Sequence, residues 1–400
     1  MTKVTQDYTW PLMKNTVTLS DRLKMAKFIL TSDKLTQGNE VRKFEEEWSE
    51  WLGVKHSLFV SSGSTANLLL VSAWKELYEI PDQAKVIVPA CTWVTNVAPI
   101  IQCGLTPIFC DINLEDYSFD LDKLQELRDQ YGDDIYGIFV THLLGFPAQV
   151  EKFHEMFPNA HILEDVCESH GAVLENGKKA GTYDVGGTFS FYFGHHMTTV
   201  EGGMVSTNDP ELYDLMRMKR SHGMARESLY FETYKEKYPD VNPSFLFVTD
   251  GYNLRNNEIG AVLGRSQLKR LDNMNEIRNR NYERYLDIIK RYSNRTVQTT
   301  YYVPKTKGQV SSFCFPIVCN NILVYKEVEK LLKEYHIEYR PVVGGNLLRQ
   351  PFLREYSADC LNADIAHEKG LYIGNNHFVN DSNLDTLDEI LSQIHYDLFT

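Results

Sequence analysis

Several things are scarce in this sequence. No stretch approaches the roughly 18 consecutive apolar residues that a membrane span requires. The N-terminal run Met1–Pro11 has no apolar core of a secretory signal. Both absences point to a cytoplasmic protein without a membrane partner. Cysteine is sparse, with seven residues at 91, 103, 110, 167, 314, 319 and 360. The number is odd and no two form a Cys-x-x-Cys pair. A disulfide framework is therefore not expected, and the thiols read as reduced and mostly buried. Positive charge is also short: 41 Lys and Arg against 54 Asp and Glu leave a net charge of −13. That excludes a general nucleic-acid binder, which needs a basic face, but not a small anion held by backbone amides. Internal repeats and low-complexity linkers are absent.

What is present is an ordinary globular composition, 43% hydrophobic and 24% charged, in a chain too long for one simple core, so two domains are expected. Apolar residues at 19, 23, 26, 29 and 30 fall at helical spacing, and Val41, Phe44, Trp48, Trp51 and Leu52 line one face of a second helix. Short apolar strands then alternate with helices: strands at 57–60, 86–88, 107–112, 135–141 and 162–164, helices at 66–77, 94–101, 121–127 and 150–157. This order implies an α/β fold with a mostly parallel sheet covered on both faces. Strands follow at 188–191 and 204–207. Residues 224–250 read as a long polar and aromatic excursion over the surface or a partner subunit. A helical run beyond Ile259 leads through 274–291. The tail, with strands at 313–318 and 338–342 and helices at 324–334 and 384–396, reads as a smaller α+β domain.

Six stretches carry chemistry. Ser61-Ser62-Gly63-Ser64-Thr65-Ala66 joins a strand to a helix, where free amides favour a phosphate, although a plain helix cap is the commoner use of such a turn. Trp93 follows a buried strand, near the end where α/β ligand sites form; a packed core Trp is the alternative. Asp165 and Glu168 stand at and after the end of another strand, in Ile162–Gly171. Thr188-Phe-Ser-Phe-Tyr-Phe-Gly-His-His-Met-Thr-Thr-Val-Glu-Gly-Gly-Met204 holds Ser190, His195 and His196. Arg220-Ser221-His222-Gly223 reads equally as a helix stopped by Gly223. The sixth is Gly251-Tyr252-Asn253-Leu254-Arg255. Adjacent His195 and His196 diverge and have no HExxH or Cys/His companions, so no metal site is expected and His196 reads as a bystander.

The Thr188–Met204 stretch resembles the signature of the DegT/DnrJ/EryC1/StrS sugar aminotransferases, enzymes of PLP-dependent fold type I. In that family a Ser-Phe pair is followed, four residues later, by a lysine and then by Thr-Thr-x-Glu-Gly-Gly. Here Ser190-Phe191 and Thr198–Gly203 keep register and His195 occupies the lysine position. The resemblance covers almost the whole chain. It implies an aspartate aminotransferase-like fold: a large domain with a seven-stranded-type sheet over 1–270, and a small α+β domain over 271–400. It implies pyridoxal or pyridoxamine 5'-phosphate (PLP or PMP), with the phosphate at Gly63, Ser64 and Ser190. Trp93 would stack on the pyridine ring, Asp165 would meet the ring nitrogen, and Glu168 would face the ring hydroxyl. Asn253 would cross a homodimer interface to the neighbouring phosphate, and His222 would border the sugar.

An imidazole cannot hold the cofactor covalently as lysine does, but it can move protons. The substitution therefore implies dehydration rather than amino transfer: removal of the C3 hydroxyl of a nucleotide-linked 4-keto-6-deoxy sugar, on the way to a 3,6-dideoxysugar of O-antigen. L-Glutamate would restore PMP. GDP is carried over by resemblance alone. A neutral His195 with a pKa near the ordinary 6.5 would be the base. Two rival readings stay open: an aminotransferase whose lysine was substituted, and a non-catalytic PLP-binding protein. A third, an iron–sulfur dehydratase, fails because only Cys314, Cys319 and Cys360 follow Cys167, without a Cys-x-Cys pair.

Overall fold

The computed structural model describes residues 8–293 and 300–399, with side chains as far as Ile394. Residues 1–7 of the N-terminal run read above lie outside the described residues. Local chemistry sets where elements start and stop. Thr18 and Asp21 cap α1 (Leu19–Thr31) reciprocally, and Gly53, at φ +90°, closes α2 (Asn39–Leu52). The expected face of α2 is buried at Val41, Phe44, Trp48 and Leu52. In α1 the pattern is inverted. Leu19, Leu23 and Leu30 are 71%, 62% and 85% exposed, while Asp21 is buried against Arg270. An apolar stripe at helical spacing therefore faces outward.

The alternation of strand and helix holds through β1 (His56–Val60), α3 (Gly63–Leu77), β2 (Lys85–Pro89), α4 (Val94–Gln102), β3 (Thr106–Cys110), α5 (Leu121–Tyr131), β4 (Ile135–Thr141), α6 (Val150–Met156) and β5 (His161–Asp165). Then come β6 (Gly186–Ser190), β7 (Gly203–Thr207) and α7 (Pro210–Arg220). These strands form one seven-stranded sheet in the order β1-β7-β6-β5-β4-β2-β3. Only β7 runs against the others. Helix α3 begins earlier than the expected Ala66, because Ser62 and Thr65 form a capping box that pulls Gly63 and Ser64 into the first turn. Edge strand β1 is covered by an ion pair. The Phe59 amide donates to Glu45 Oε1 (2.8 Å), and Arg220 Nη1 donates to both the Phe59 carbonyl (3.0 Å) and Glu45 Oε1 (2.6 Å). Arg220 is thus the end of a helix, stopped where His222 and Gly223 turn to positive φ.

The 224–250 excursion contains a short helix, α8 (Phe231–Lys237), and exposes Leu229, Tyr230, Tyr238, Val241, Phe245 and Phe247. The helical run beyond it splits into α9 (Glu258–Leu268) and α10 (Leu271–Ser293). A second sheet of four strands follows in the order β10-β11-β9-β8. It comprises β8 (Tyr301–Tyr302), β9 (Cys314–Cys319), β10 (Tyr339–Pro341) and β11 (Gly370–Gly374), flanked by α11 (Ile322–Glu334), α12 (Leu361–Lys369) and α13 (Asp381–Phe399). One face of the large sheet packs with α2, α5 and α6 around Phe44, Trp48, Ile138 and Phe153. The other packs around Leu69, Trp74, Phe139 and Val205, and this second core continues unbroken to Phe315, Ile317 and Leu371 of the small sheet.

Candidate active site

The parallel strands all end on one side, and a cavity of about 390 Å³ opens there. Its wall takes Ser62, Gly63 and Ser64 from the turn after β1, Trp93 and Thr95 after β2, Thr141 at the end of β4 and Leu143 just beyond it. Asp165, Cys167 and Glu168 come from the end of β5, and Ser190, Tyr192, Gly194 and His195 from the end of β6. Such an arrangement collects side chains from distant parts of the sequence because parallel strands point the same way. Seven expected residues, Gly63, Ser64, Trp93, Asp165, Glu168, Ser190 and His195, are thereby brought together.

At the floor, the Thr65 amide donates to the Ser62 hydroxyl (3.1 Å) and the Ala66 amide to the Ser62 carbonyl (3.0 Å). The amides of Gly63 and Ser64, in the first turn, are left for a ligand. Gly63 is required by close approach. A Cβ there would meet Ser190 Cβ at 2.6 Å and Cys167 Sγ at 2.9 Å. Trp93 is 54% exposed, which corrects the packed-core alternative: its indole is a free wall. Asp165 is buried and accepts from Asn67 Nδ2 (2.9 Å) and the Cys167 amide (3.1 Å). Glu168 accepts from the Leu144 amide (3.0 Å), and burial, with the neighbouring Asp165, pushes its pKa up to about 7. It can therefore offer or accept a proton near neutrality.

His195 lines the cavity with its Nδ1 buried and without a hydrogen-bond partner. Burial and then the Arg278 guanidinium push its pKa down to about 3. This corrects the expectation of an imidazole near 6.5. Arg278 is itself buried, and it donates to the carbonyls of Phe313 (3.1 Å) and Asn375 rather than to a carboxylate, so its charge is felt nearby. His195 is thus neutral across the physiological range. His196 turns inward, with Nε2 on the Ser311 carbonyl (3.0 Å), and no cluster of metal-ligating side chains occurs among the described residues.

His222 and Asn253 are not in this wall. Asn253 is exposed, its Oδ1 accepts from Arg255 Nε (3.0 Å), and Arg255 Nη2 lies 3.3 Å from His222 Nε2. The three form one surface group outside their own chain's cavity. Conversely, Leu12, Met13, Phe313, Arg340 and Tyr372, which close the opposite wall from the N-terminal segment and the small sheet, carry no sign in the sequence. Arg340 is the one Lys or Arg among the lining residues. No local pattern marks these positions, because only the packing of the two sheets brings them to the cavity.

The donor set fits a pyridoxal-type cofactor. There are free amides and a close-packed glycine for a phosphate, an open indole for a ring, a buried carboxylate at the strand end, and an imidazole with an orphaned nitrogen.

Comparison with known proteins gives the same answer at several levels. The model of the DegT/DnrJ/EryC1/StrS aminotransferase family matches residues 18–392. The GDP-4-keto-6-deoxy-D-mannose 3-dehydratase of Yersinia pseudotuberculosis is 34% identical over 380 residues, covering 91% of this chain and 94% of that protein. A GDP-4-keto-6-deoxymannose-3-dehydratase variant with bound GDP-perosamine superposes with a TM-score of 0.87 at 31% identity, over 96% of this chain and 100% of its own. The E. coli GDP-4-keto-6-deoxy-D-mannose-3-dehydratase with bound hydrated PLP gives 0.85 at 29%, over 96% and 99%.

Proposed function

The chain belongs to the DegT/DnrJ/EryC1/StrS aminotransferase family, and from that premise we propose that it is a PLP/PMP-dependent, glutamate-using C3 dehydratase of a nucleotide-linked 4-keto-6-deoxy sugar. GDP-4-keto-6-deoxy-D-mannose is the substrate the relatives point to. The observation that carries this reading is His195. Where the family's covalent lysine would stand, the cavity wall offers an imidazole, and among the described residues no lysine lines the cavity.

When bound, the pyridoxamine cofactor supplies an amine for the C4 ketone and an electron sink that lets the C3 hydroxyl leave. The residues supply everything else. Gly63, Ser64 and Ser190 bind the phosphate, and Trp93 covers the ring. Asp165 holds a proton on the ring nitrogen. Glu168 faces the ring hydroxyl and exchanges a proton with it near neutral pH. His195, neutral before substrate arrives, takes the proton from C4' and as imidazolium delivers one to the departing C3 hydroxyl. L-Glutamate would be the amino donor that restores PMP, and His195 is the residue placed to move the proton in that half-reaction as well. We take 1–270 as a large domain and 271–400 as a small one, which the separate seven- and four-stranded sheets support. The working unit is a cytoplasmic homodimer in which Asn253, exposed and outside its own cavity, completes the neighbour's phosphate site, with His222 beside the neighbour's sugar.

The test is a single incubation. Purified protein with PMP, L-glutamate and GDP-4-keto-6-deoxy-D-mannose should yield the 3-deoxy-4-keto sugar, ammonia and 2-oxoglutarate, without added iron or a reductase. Formation of a 4-amino sugar would establish the aminotransferase reading. Absence of any turnover, with PMP bound, would leave a non-catalytic binder.

A further inference from the structure

Between the strand ends lies a polar side chain with no role so far. Asn67, on the second turn of α3, is wholly buried. Its Nδ2 donates to the Thr95 carbonyl (2.9 Å) and to Asp165 Oδ2 (2.9 Å), and its Oδ1 accepts from Thr188 Oγ1 (2.5 Å). The Thr95 carbonyl can only accept, which fixes the end of the amide that carries the hydrogens. Both of those hydrogens are used.

The partners come from different segments. Thr95 is in the first turn after Trp93, Asp165 ends β5, and Thr188 shares β6 with Ser190. Asn67 itself sits one turn beyond Gly63. We propose that Asn67 is the positioning residue of the cofactor pocket. Its one amide locks together the helix that receives the phosphate, the loop that carries the stacking indole, the carboxylate that meets the ring nitrogen, and the strand that carries Ser190. The inference rests on the PLP/PMP reading above.

The physical case is one of constraint. Among the described residues no Lys or Arg is paired with Asp165; Asn67 donates to its Oδ2, and the Cys167 side chain is its other side-chain partner. Without Asn67 the carboxylate keeps only the amide and thiol of Cys167, both from its own loop, and loses its tie to α3. The Thr95 carbonyl, half-buried, also loses its side-chain partner. Thr188 keeps a second acceptor, the Glu164 carbonyl at 3.2 Å, so its loss is the milder one.

Cofactor binding, read without turnover, tests this. Apo-protein is titrated with PLP by quenching of tryptophan fluorescence, and visible circular dichroism of bound PLP at saturation reports how firmly the ring is oriented. Asn67→Ala and the isosteric Asn67→Asp, which sets a second carboxylate against Asp165, should weaken PLP binding about 10- to 100-fold. Both should lose most of the visible dichroic band while melting as folded proteins. Thr188→Val should weaken binding by less than about tenfold, and Thr188→Ser should restore it. Wild-type affinity and a wild-type band in Asn67→Asp would overturn the proposal. If both Asn67 variants fail to fold, Thr188→Val decides, and affinity within about twofold of wild type overturns it. Failure of the wild-type protein to bind PLP would instead sink the cofactor reading.

Discussion

A histidine pressed into the wall of a cavity beside a buried arginine has little choice of protonation state, and this gives residue-scale expectations. His195→Asn keeps the cavity's shape but cannot accept a proton. It should bind PMP with near wild-type affinity and lose C3 deoxygenation, by about 100-fold or more, the scale of general acid–base catalysis. Turnover within a few fold of wild type would assign the proton transfers to another group. His195→Lys is the complementary probe. Borohydride should leave the wild-type protein unlabelled, with the cofactor removed by dialysis, and should fix the cofactor to the variant. Mass spectrometry of the tryptic peptide containing position 195 decides. His195 was legible in the sequence because its neighbours keep a spacing that exposes the substitution. Its depressed pKa was not, since burial and Arg278 belong to tertiary packing. Arg340 was illegible for the same reason.

Among elements, α3 shows how a local misreading can conceal function. Hydrophobic periodicity starts at Ala66 and misses the first turn, which is set by the Ser62–Thr65 capping box and carries the free amides. The face of α2 was readable because Val41, Phe44, Trp48 and Leu52 are buried on one side. α1 was readable as a helix but not in its orientation, since an ion pair with Arg270 overrides its stripe. Of α7 only the end at Gly223 was read, and α12 and the strand β11 were not singled out; α12 is short and lacks a side-chain cap, so nothing local marks its start. Gly63→Ala tests the tight floor. The added methyl must displace Ser190 or the Cys167 thiol. PMP affinity should fall about tenfold or more at a cost of roughly 1–3 kcal/mol for overpacking, seen as a lower melting temperature of the apo-protein. Unchanged affinity would show that the phosphate lies elsewhere.

At the scale of the whole molecule, the fold class was legible from the alternation of strand and helix. The joining of both sheets by one core was not. Shared sites can be tested by complementation. Inactive His195→Asn and inactive Asn253→Ala proteins, allowed to exchange subunits, should regain activity in hybrids, where one site of each pair escapes both lesions. Silence despite demonstrated exchange would confine Asn253 to its own chain. Buried histidines also set the response to acid. Burial holds His195 down to about 3 and His377 to about 4, with His170 and His196 well below the ordinary range. As pH falls through about 6.5 the unfolded chain takes up protons that the folded chain refuses, so stability drops, by at most about 1.4 kcal/mol per pH unit for each histidine. Glu168, raised to about 7, acts in the opposite sense between about 4.5 and 7, but it is one group against four. The melting temperature should therefore decline from pH 7 to 5, less steeply in His195→Asn; a rise would contradict this. Finally, the Glu45–Arg220 pair on β1 makes colloidal behaviour hostage to two charges. Strip either one and the bared margin of the sheet becomes a template on which another molecule's strand can nucleate. Arg220→Leu should therefore shift the protein toward thioflavin-positive aggregates on mild warming, before its active site has lost its shape.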